Sequence, residues 1–290
     1  MRSRGSGPLL LALLMSLASA GAGAAPAIAI VIDDLGDTLG PGRATVALPG
    51  PVACAFLPES PHTRRLADEA HAAGKPVLLH LPLQPEAGKP HPLAVNDRLN
   101  AEARARHLQR MLAAVPHARG VNNHQGSRAT ADRRQMHWLM RELSLSGITY
   151  FIDSATSSQS EAYALARAYG LPTARRRVFL DNEPTPAAVH AQFERLLQVA
   201  RRDGAALAIG HPHAATLQVL RERLPQLAQQ GYQLVTPMQL IARSRAAPVV
   251  YPARLRYSEA LAPGALLART PSTTSIAPDA PAHNQAQAAE

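Results

Sequence analysis

An α/β fold whose parallel strands close toward a (β/α) barrel is what this 290-residue sequence predicts. Three observations carry that expectation. Short apolar runs alternate with segments of helical period between residues 26 and 245, glycines follow most of the helical segments, and five apolar runs end in Asp or His. Strand alternating with helix implies right-handed crossovers between parallel strands. The C-terminal ends of such strands share one side of the molecule, where α/β folds place their active sites.

The first element reads Ala27-Ile28-Ala29-Ile30-Val31-Ile32, a buried strand that stops abruptly at Asp33 and Asp34. In an extended chain these two side chains leave on opposite sides, so one can bind a group while the other acts on it. Further strands are expected at 52–57, 77–81, 120–123, 148–152, 177–180, 205–209 and 232–235. Helices are expected at 61–73, 101–115, 131–145, 158–169, 186–202 and 215–229. Gly74, Gly147, Gly170, Gly204 and Gly231 follow helical segments, where a left-handed C-terminal residue favours glycine. The design of the first strand recurs: His80, His124, Asp153 and His211 each follow an apolar lead-in.

The two ends differ from this middle. Arg2 and Arg4 precede an apolar stretch at 8–17 and then small residues, the pattern of a secretory signal peptide over residues 1–25 with cleavage after Ala20, Ala24 or Ala25. The stretch is shorter than the ~20 residues a membrane span needs, so the mature chain is expected to carry no transmembrane span and to reside in the periplasm. Residues 26–245 form the folded domain, and 246–290, rich in Pro, Ala, Ser and Thr, read as a disordered tail. Hydrophobic residues make up 46% of the chain, enough for a core, and aromatics only 4%, so the core is expected to be Leu, Val, Ile and Ala. The single cysteine, Cys54, sits in an apolar run and reads as a small buried residue.

The formal charge of +9 suits anionic envelope polymers. No basic stripe is interleaved with aromatics, and nucleic acid is excluded as a partner on that ground. The one tight basic cluster, Arg175-Arg176-Arg177, reads as a solvated surface turn.

Two adjacent carboxylates after six apolar residues are costly to bury unless a cation or donors compensate them, although Asp34-Leu35-Gly36-Asp37 could also be a simple turn. Imidazole plus carboxylate is the usual ligand set for zinc or a similar divalent ion, and three protein ligands leave a position open for water. Asp34, His80 and His124 offer such a set from three strands; each histidine taken alone could equally be structural. In His211-Pro212-His213, one histidine reaching the site could serve as a general acid, oriented by Asp153 or Asp181. The alternative is a histidine pair in a surface loop.

Six segments carry a resemblance: Ile30-Val31-Ile32-Asp33-Asp34-Leu35-Gly36, Leu79-His80-Leu81-Pro82-Leu83-Gln84-Pro85, Gly120-Val121-Asn122-Asn123-His124-Gln125-Gly126-Ser127, Tyr150-Phe151-Ile152-Asp153-Ser154, Val178-Phe179-Leu180-Asp181 and Ala208-Ile209-Gly210-His211-Pro212. From Ala27 to Ile241 the chain resembles the divergent polysaccharide deacetylase family, exported bacterial proteins distantly related to the NodB-homology carbohydrate esterases. The resemblance implies a distorted, NodB-like (β/α) barrel of about seven strands. It also implies descent from metal-dependent deacetylases, with Asp33 as base, Asp34 as metal ligand and His211 as acid. The NodB-type esterases take both histidine ligands from one short His-Ser/Thr-x-x-x-His-like segment. This chain lacks that segment, and the Arg-Pro-Pro-Tyr-like stretch of the substrate groove, and offers His80 and His124 on successive strands instead.

Two functions are compatible with these residues. One is a hydrolase, with a bound divalent metal, zinc foremost, that removes acyl groups from peptidoglycan or another envelope polysaccharide; backbone amides near Asn122 and Asn123 would then help hold the oxyanion. The other is a barrel without turnover that binds an envelope glycan or partner.

Overall fold

The computed structural model describes residues 24–96 and 99–246. The expected leader at 1–25 and tail at 246–290 lie outside the described residues, apart from one or two residues at their inner edges. No helix among the described residues is long and apolar enough to cross a membrane.

The continuous apolar run at the start forms β1 (Ala27–Leu35), and it is continuous because both faces of the strand are covered. Ile28, Ile30 and Ile32 point into the cluster that the surrounding helices complete. Ala27, Ala29 and Val31 point the other way, into a smaller cluster with Leu207, Ile209, Tyr150 and Ile152. The small residues take the inner face, where a curling sheet leaves least room.

Seven further strands complete the path: β2 (Ala53–Phe56), β3 (Val77–Leu83), β4 (Gly120–Gln125), β5 (Tyr150–Asp153), β6 (Thr173–Arg175), β7 (Val178–Phe179) and β8 (Ala205–Gly210). Their order is β6-β5-β4-β3-β2-β1-β8-β7, every pairing is parallel, and a short β9 (Gln233–Leu234) adds to the start of β1. The sheet thus curls as a distorted half-barrel of eight strands, one more than the estimate from the sequence. No pairing joins β6 to β7 among the described residues.

The helices are α1 (Leu39–Val46), α2 (Thr63–Ala72), α3 (Ala101–Ala114), α4 (Ser127–Ala131), α5 (Arg133–Leu145), α6 (Ala162–Ala168), α7 (Pro186–Asp203), α8 (Ala214–Arg223) and α9 (Pro237–Ala246). The expected helix at 131–145 is interrupted at its start: the Asp132 carboxylate accepts from the amides of Arg134 and Gln135 and so caps α5, leaving α4 as a separate turn. Helix α1 escaped the sequence reading because Gly40, Pro41 and Gly42 disguise it. Gly42 is needed there, since a Cβ would come within 2.4 Å of Leu66 Cδ1. Strand β6 also went unread, since it takes in Arg175, assigned above to a surface turn.

One local departure from regular structure decides the geometry of the strand ends. The pairing of β1 with β2 shifts register between Ile32 and Leu35, and Asp34 takes a left-handed φ of +55°. This bulge overturns the expectation that Asp33 and Asp34 leave on opposite sides. Both carboxylates turn toward His80 instead, as the distances below record.

Candidate metal and active site

The curl of the sheet brings the C-terminal ends of β1, β3, β4 and β8 together, and with them Asp33, Asp34, His80, His124 and His211. Asp34 Oδ1 lies 2.9 Å from His124 Nδ1 and 3.2 Å from His80 Nε2, and the two imidazole nitrogens are 3.2 Å apart. A tetrahedral ion with bonds of ~2.0–2.1 Å separates its ligand atoms by about 3.3–3.4 Å, so this triangle has nearly the dimensions of one face of such a site. Asp34 Oδ1 is a buried atom, and neither imidazole meets it with the geometry of a hydrogen bond. Only the two imidazole nitrogens meet each other as hydrogen-bond partners, and Asp34 Oδ1 is left without one, an arrangement that a cation between the three atoms would satisfy more fully.

His80 is held in the tautomer that a metal ligand requires. Asn122, next to it across the sheet, donates from Nδ2 to Asp33 Oδ1 at 2.8 Å, so its Oδ1 must accept, and it does so from His80 Nδ1 at 3.0 Å. Nε2 is thereby the nitrogen aimed at Asp34, and it becomes a metal ligand once its proton is lost. Burial disfavours an imidazolium here, yet Asp33 and Asp34 outweigh it and push the His80 pKa up to about 9. A metal arriving at this site must therefore displace a proton. Burial works to raise the Asp34 carboxyl as well, but the imidazoles of His124 and His80 beside it hold it far below the usual carboxylate range.

Asp33 differs from its neighbour in environment. It is 2% exposed, its Oδ2 stands 3.6 Å from His80 Nε2, and burial raises its pKa against the pull of His80 and His211. A carboxylate that holds a proton more readily than an exposed one suits a group that must take a proton.

His211 faces Asp33 and Asp34 from β8's exit, its Nε2 3.7 Å from Asp34 Oδ2. Its Nδ1 donates to Asp181 Oδ1 at 3.0 Å, and its backbone amide donates to Asp181 Oδ2 at 2.6 Å. Thr216, at the start of α8, donates its hydroxyl to the same oxygen at 2.7 Å. Burial lowers the affinity of His211 for a proton, but Asp181 and the two site aspartates reverse this and raise its pKa. Asp181, His211 and His213 also lie close enough to suggest a second ion, but the hydrogen bonds just described already engage both oxygens of Asp181, and His213 is exposed.

Of the two candidate orienting aspartates, Asp181 is the one in contact with His211. Asp153 is buried elsewhere: it accepts from Ala155 N at 2.9 Å and Ser160 Oγ at 3.0 Å, with Arg175 Nε at 3.5 Å. It braces the turn after β5, where Ala155 has a φ of +51°. Asn122 and Asn123 sit inside β4, flanked by β3 and β5, so their backbone amides belong to the sheet ladder and not to an oxyanion hole. Their side chains act instead. Asn123 Oδ1 accepts from Ser154 N at 2.9 Å and its Nδ2 donates to Gln125 O at 2.9 Å, tying the exits of β4 and β5 together.

The basic cluster is a solvated turn only at Arg177, which is exposed. Arg176 is half-buried, donates to the carbonyls of Ser154 at 2.6 Å and Ala155 at 2.9 Å, and lies over the Phe179 ring. Phe179 in turn packs edge-on against His211, with centroids 5.4 Å apart. From the sequence, Ser154 and Phe179 figured only inside the resembling segments, Arg176 only as part of an expected surface turn, and Thr216 not at all. The trace that Thr216 leaves is Gly210: a Cβ there would stand 3.2 Å from both Asp181 Oδ2 and Thr216 Cγ2, so the Gly before His211 marks a close approach. A cavity of about 670 Å³ at the opposite end of the strands, against Val77, Arg119 and Tyr150, contains none of the gathered Asp and His side chains.

The fold is thus a curled, parallel (β/α) half-barrel with a rim of carboxylates and imidazoles at its strand ends. The chain belongs to the divergent polysaccharide deacetylase family, whose model matches residues 30–241. It is similar to the uncharacterized protein YibQ of Escherichia coli K12, with 37% identity over 204 residues, which make up 69% of this chain and 63% of that longer relative. An uncharacterized protein of Haemophilus influenzae is also 37% identical, over 212 residues, covering 70% of this chain and 72% of that one. The crystal structure of an uncharacterized protein from Agrobacterium tumefaciens C58 superimposes with a TM-score of 0.72 at 25% identity, covering 76% of this chain and 90% of that one.

Proposed function

We propose that this protein is a metal-dependent hydrolase that removes acyl groups, acetyl above all, from peptidoglycan or another envelope polysaccharide. The observation that carries the reading is the triangle of Asp34 Oδ1, His80 Nε2 and His124 Nδ1, with its orphaned buried oxygen. Membership of the deacetylase family supports the glycan substrate. The basic-apolar leader supports export to the periplasm.

These three residues would hold a divalent cation, zinc foremost, and the cation supplies Lewis acidity at the acyl carbonyl and lowers the pKa of water beside it. The protein's own groups do the rest. Asp33 takes a proton from the water that adds to the acyl carbon. His211, charged and held by Asp181, gives its Nε2 proton to the departing nitrogen or oxygen as the C–N or C–O bond breaks. The products are a carboxylic acid and a free amine or hydroxyl on the sugar. Asn122 fixes both His80 and Asp33 with one side chain, so ligand and base keep their separation through the reaction.

Metal analysis of the purified mature chain tests this reading. Near-stoichiometric zinc is expected in the wild type and its loss in Asp34→Ala and His124→Ala; a wild type that carries no metal and takes up none from zinc-containing buffer overturns it. Acetate release from acetylated chitooligosaccharides and peptidoglycan then separates a hydrolase from a barrel that only binds. Metal without release, and glycan binding in its place, would favour the binding module.

A further inference from the structure

The segment 84–96, between β3 and α3, is fastened to the site by residues that no role above accounts for. Gln125 directly follows the ligand His124 and has a φ of +52°. Both ends of its side-chain amide grip the middle of the segment: Nε2 donates to Lys89 O at 3.4 Å, and Oε1 accepts from His91 N at 3.1 Å. The segment is also tied at its flanks, through Glu86 N to Ser127 Oγ at 2.8 Å and Val95 N to Pro82 O at 2.9 Å. His91 is thus carried to a fixed place beside His124. Their ring centroids are 5.6 Å apart and their planes 79° apart, an edge-to-face arrangement. The His91 ring is fixed in turn, because its Nδ1 accepts from Leu93 N at 3.1 Å, which places the proton of the neutral ring on Nε2.

His124 needs such a neighbour. It offers Nδ1, the nitrogen nearer its own backbone, to Asp34, and a modest rotation of its ring would carry that nitrogen away. His80 has the Asn122 hydrogen bond to hold its second nitrogen, whereas no hydrogen bond holds His124 Nε2 among the described residues. We propose that His91 is the positioning residue for His124: the Gln125 clamp presses its ring against the ligand and fixes the orientation in which Nδ1 faces the cation. The inference rests on the metal site of the proposed function and extends it to a segment outside the β-sheet. It makes the wall at 84–96 and the ligand His124 one mechanical unit.

The test compares wild type, His91→Ala and His91→Phe, using Co²⁺ as the probe metal. His91→Ala is expected to bind Co²⁺ about tenfold more weakly, the lower end of what loss of an outer-shell partner does to a metal site. His91→Phe keeps an aromatic neighbour and should recover most of that loss. The second readout needs no metal. In ¹⁵N–¹H correlation spectra of the imidazoles of the metal-free chains, His91→Ala should shift or broaden the His124 resonances and leave those of His211 in place, which also reports that the fold survives. Unchanged His124 resonances together with wild-type Co²⁺ affinity in His91→Ala overturn the proposal. A wild type that takes up no Co²⁺ defeats the metal reading of function, and the ring spectra then still decide whether His91 orders His124.

Discussion

One amide side chain links the candidate base to a candidate ligand: Asn122 donates to Asp33 Oδ1 at 2.8 Å while accepting from His80 Nδ1 at 3.0 Å. Removing it leaves two buried polar groups without partners. Asn122→Ala should destabilise the protein by about 1–3 kcal/mol for each unsatisfied group, read from urea midpoints, and weaken zinc binding by ~10–100-fold. Zinc affinity equal to that of the wild type would show that the His80 tautomer is set by something else.

A cation that binds only the folded chain must stabilise it. With zinc at about 100 times its dissociation constant, the gain is ~2.7 kcal/mol, and calorimetric melts with zinc and with a chelator should differ accordingly. Asp34→Ala should remove the difference. A chelator-insensitive melt in the wild type would argue against tight binding.

Asp181→Asn keeps the size of the side chain but removes the charge that holds His211 ready to donate. On an acylated glycan, turnover is expected to fall by roughly the ~10²–10⁴-fold assigned to general acid catalysis, with KM little changed. The alkaline limb of the pH–rate profile is also informative. His211 must be charged to donate, and Asp181 raises its pKa, so the fall in rate at high pH should move to lower pH in Asp181→Asn. A profile that stays in place would remove His211 as the acid.

Burial raises two groups outside the candidate site, and the sign of their effect is fixed. The Cys54 thiol is pushed up to about 12 and the Tyr150 hydroxyl is also raised. In the unfolded chain the same groups lose their protons near ~8.5 and ~10. Their contribution is whole below those values and is lost as pH rises through the interval, because only the unfolded state then releases protons. Urea midpoints should therefore fall between about pH 9 and 12, by up to ~1.4 kcal/mol per pH unit for each group. Cys54→Ala should flatten the first part of that decline.

Gly120 lies under the Tyr150 ring, where a Cβ would stand 2.3 Å from Cε2. Gly120→Ala should cost about 1–3 kcal/mol from overpacking, measured by denaturant melts. A neutral result would mean that the ring moves aside freely.

The alternation of strands and helices was legible in the sequence because burial on both sheet faces writes continuous apolar runs, as in β1, β3 and β8. Gly74, Gly147, Gly170, Gly204 and Gly231 all take the positive φ that a helix end calls for. What stayed hidden did so for physical reasons. Helix α1 is written in Gly and Pro, which suit its close approach to Leu66. Strand β6 is short and runs into the basic cluster, where Arg175 reaches Asp153 and Arg176, just after the strand, reaches the carbonyls after β5. The partner of His211 could be narrowed to Asp153 or Asp181 but not chosen, since both follow strands. The choice rests on β7 lying beside β8, a fact of sheet order that no local pattern carries.

The left-handed residue at Asp34 has a bearing on how such a site could be transplanted or lost. Period-two alternation would leave one of the two aspartates on the wrong side, so the pair works as a pair only because the strand breaks rhythm after Ile32. A graft of Asp-Asp onto a regular strand of another barrel would therefore carry the letters without the convergence. Conversely, a change that merely smooths the strand there would disarm this protein while leaving every functional side chain in its sequence.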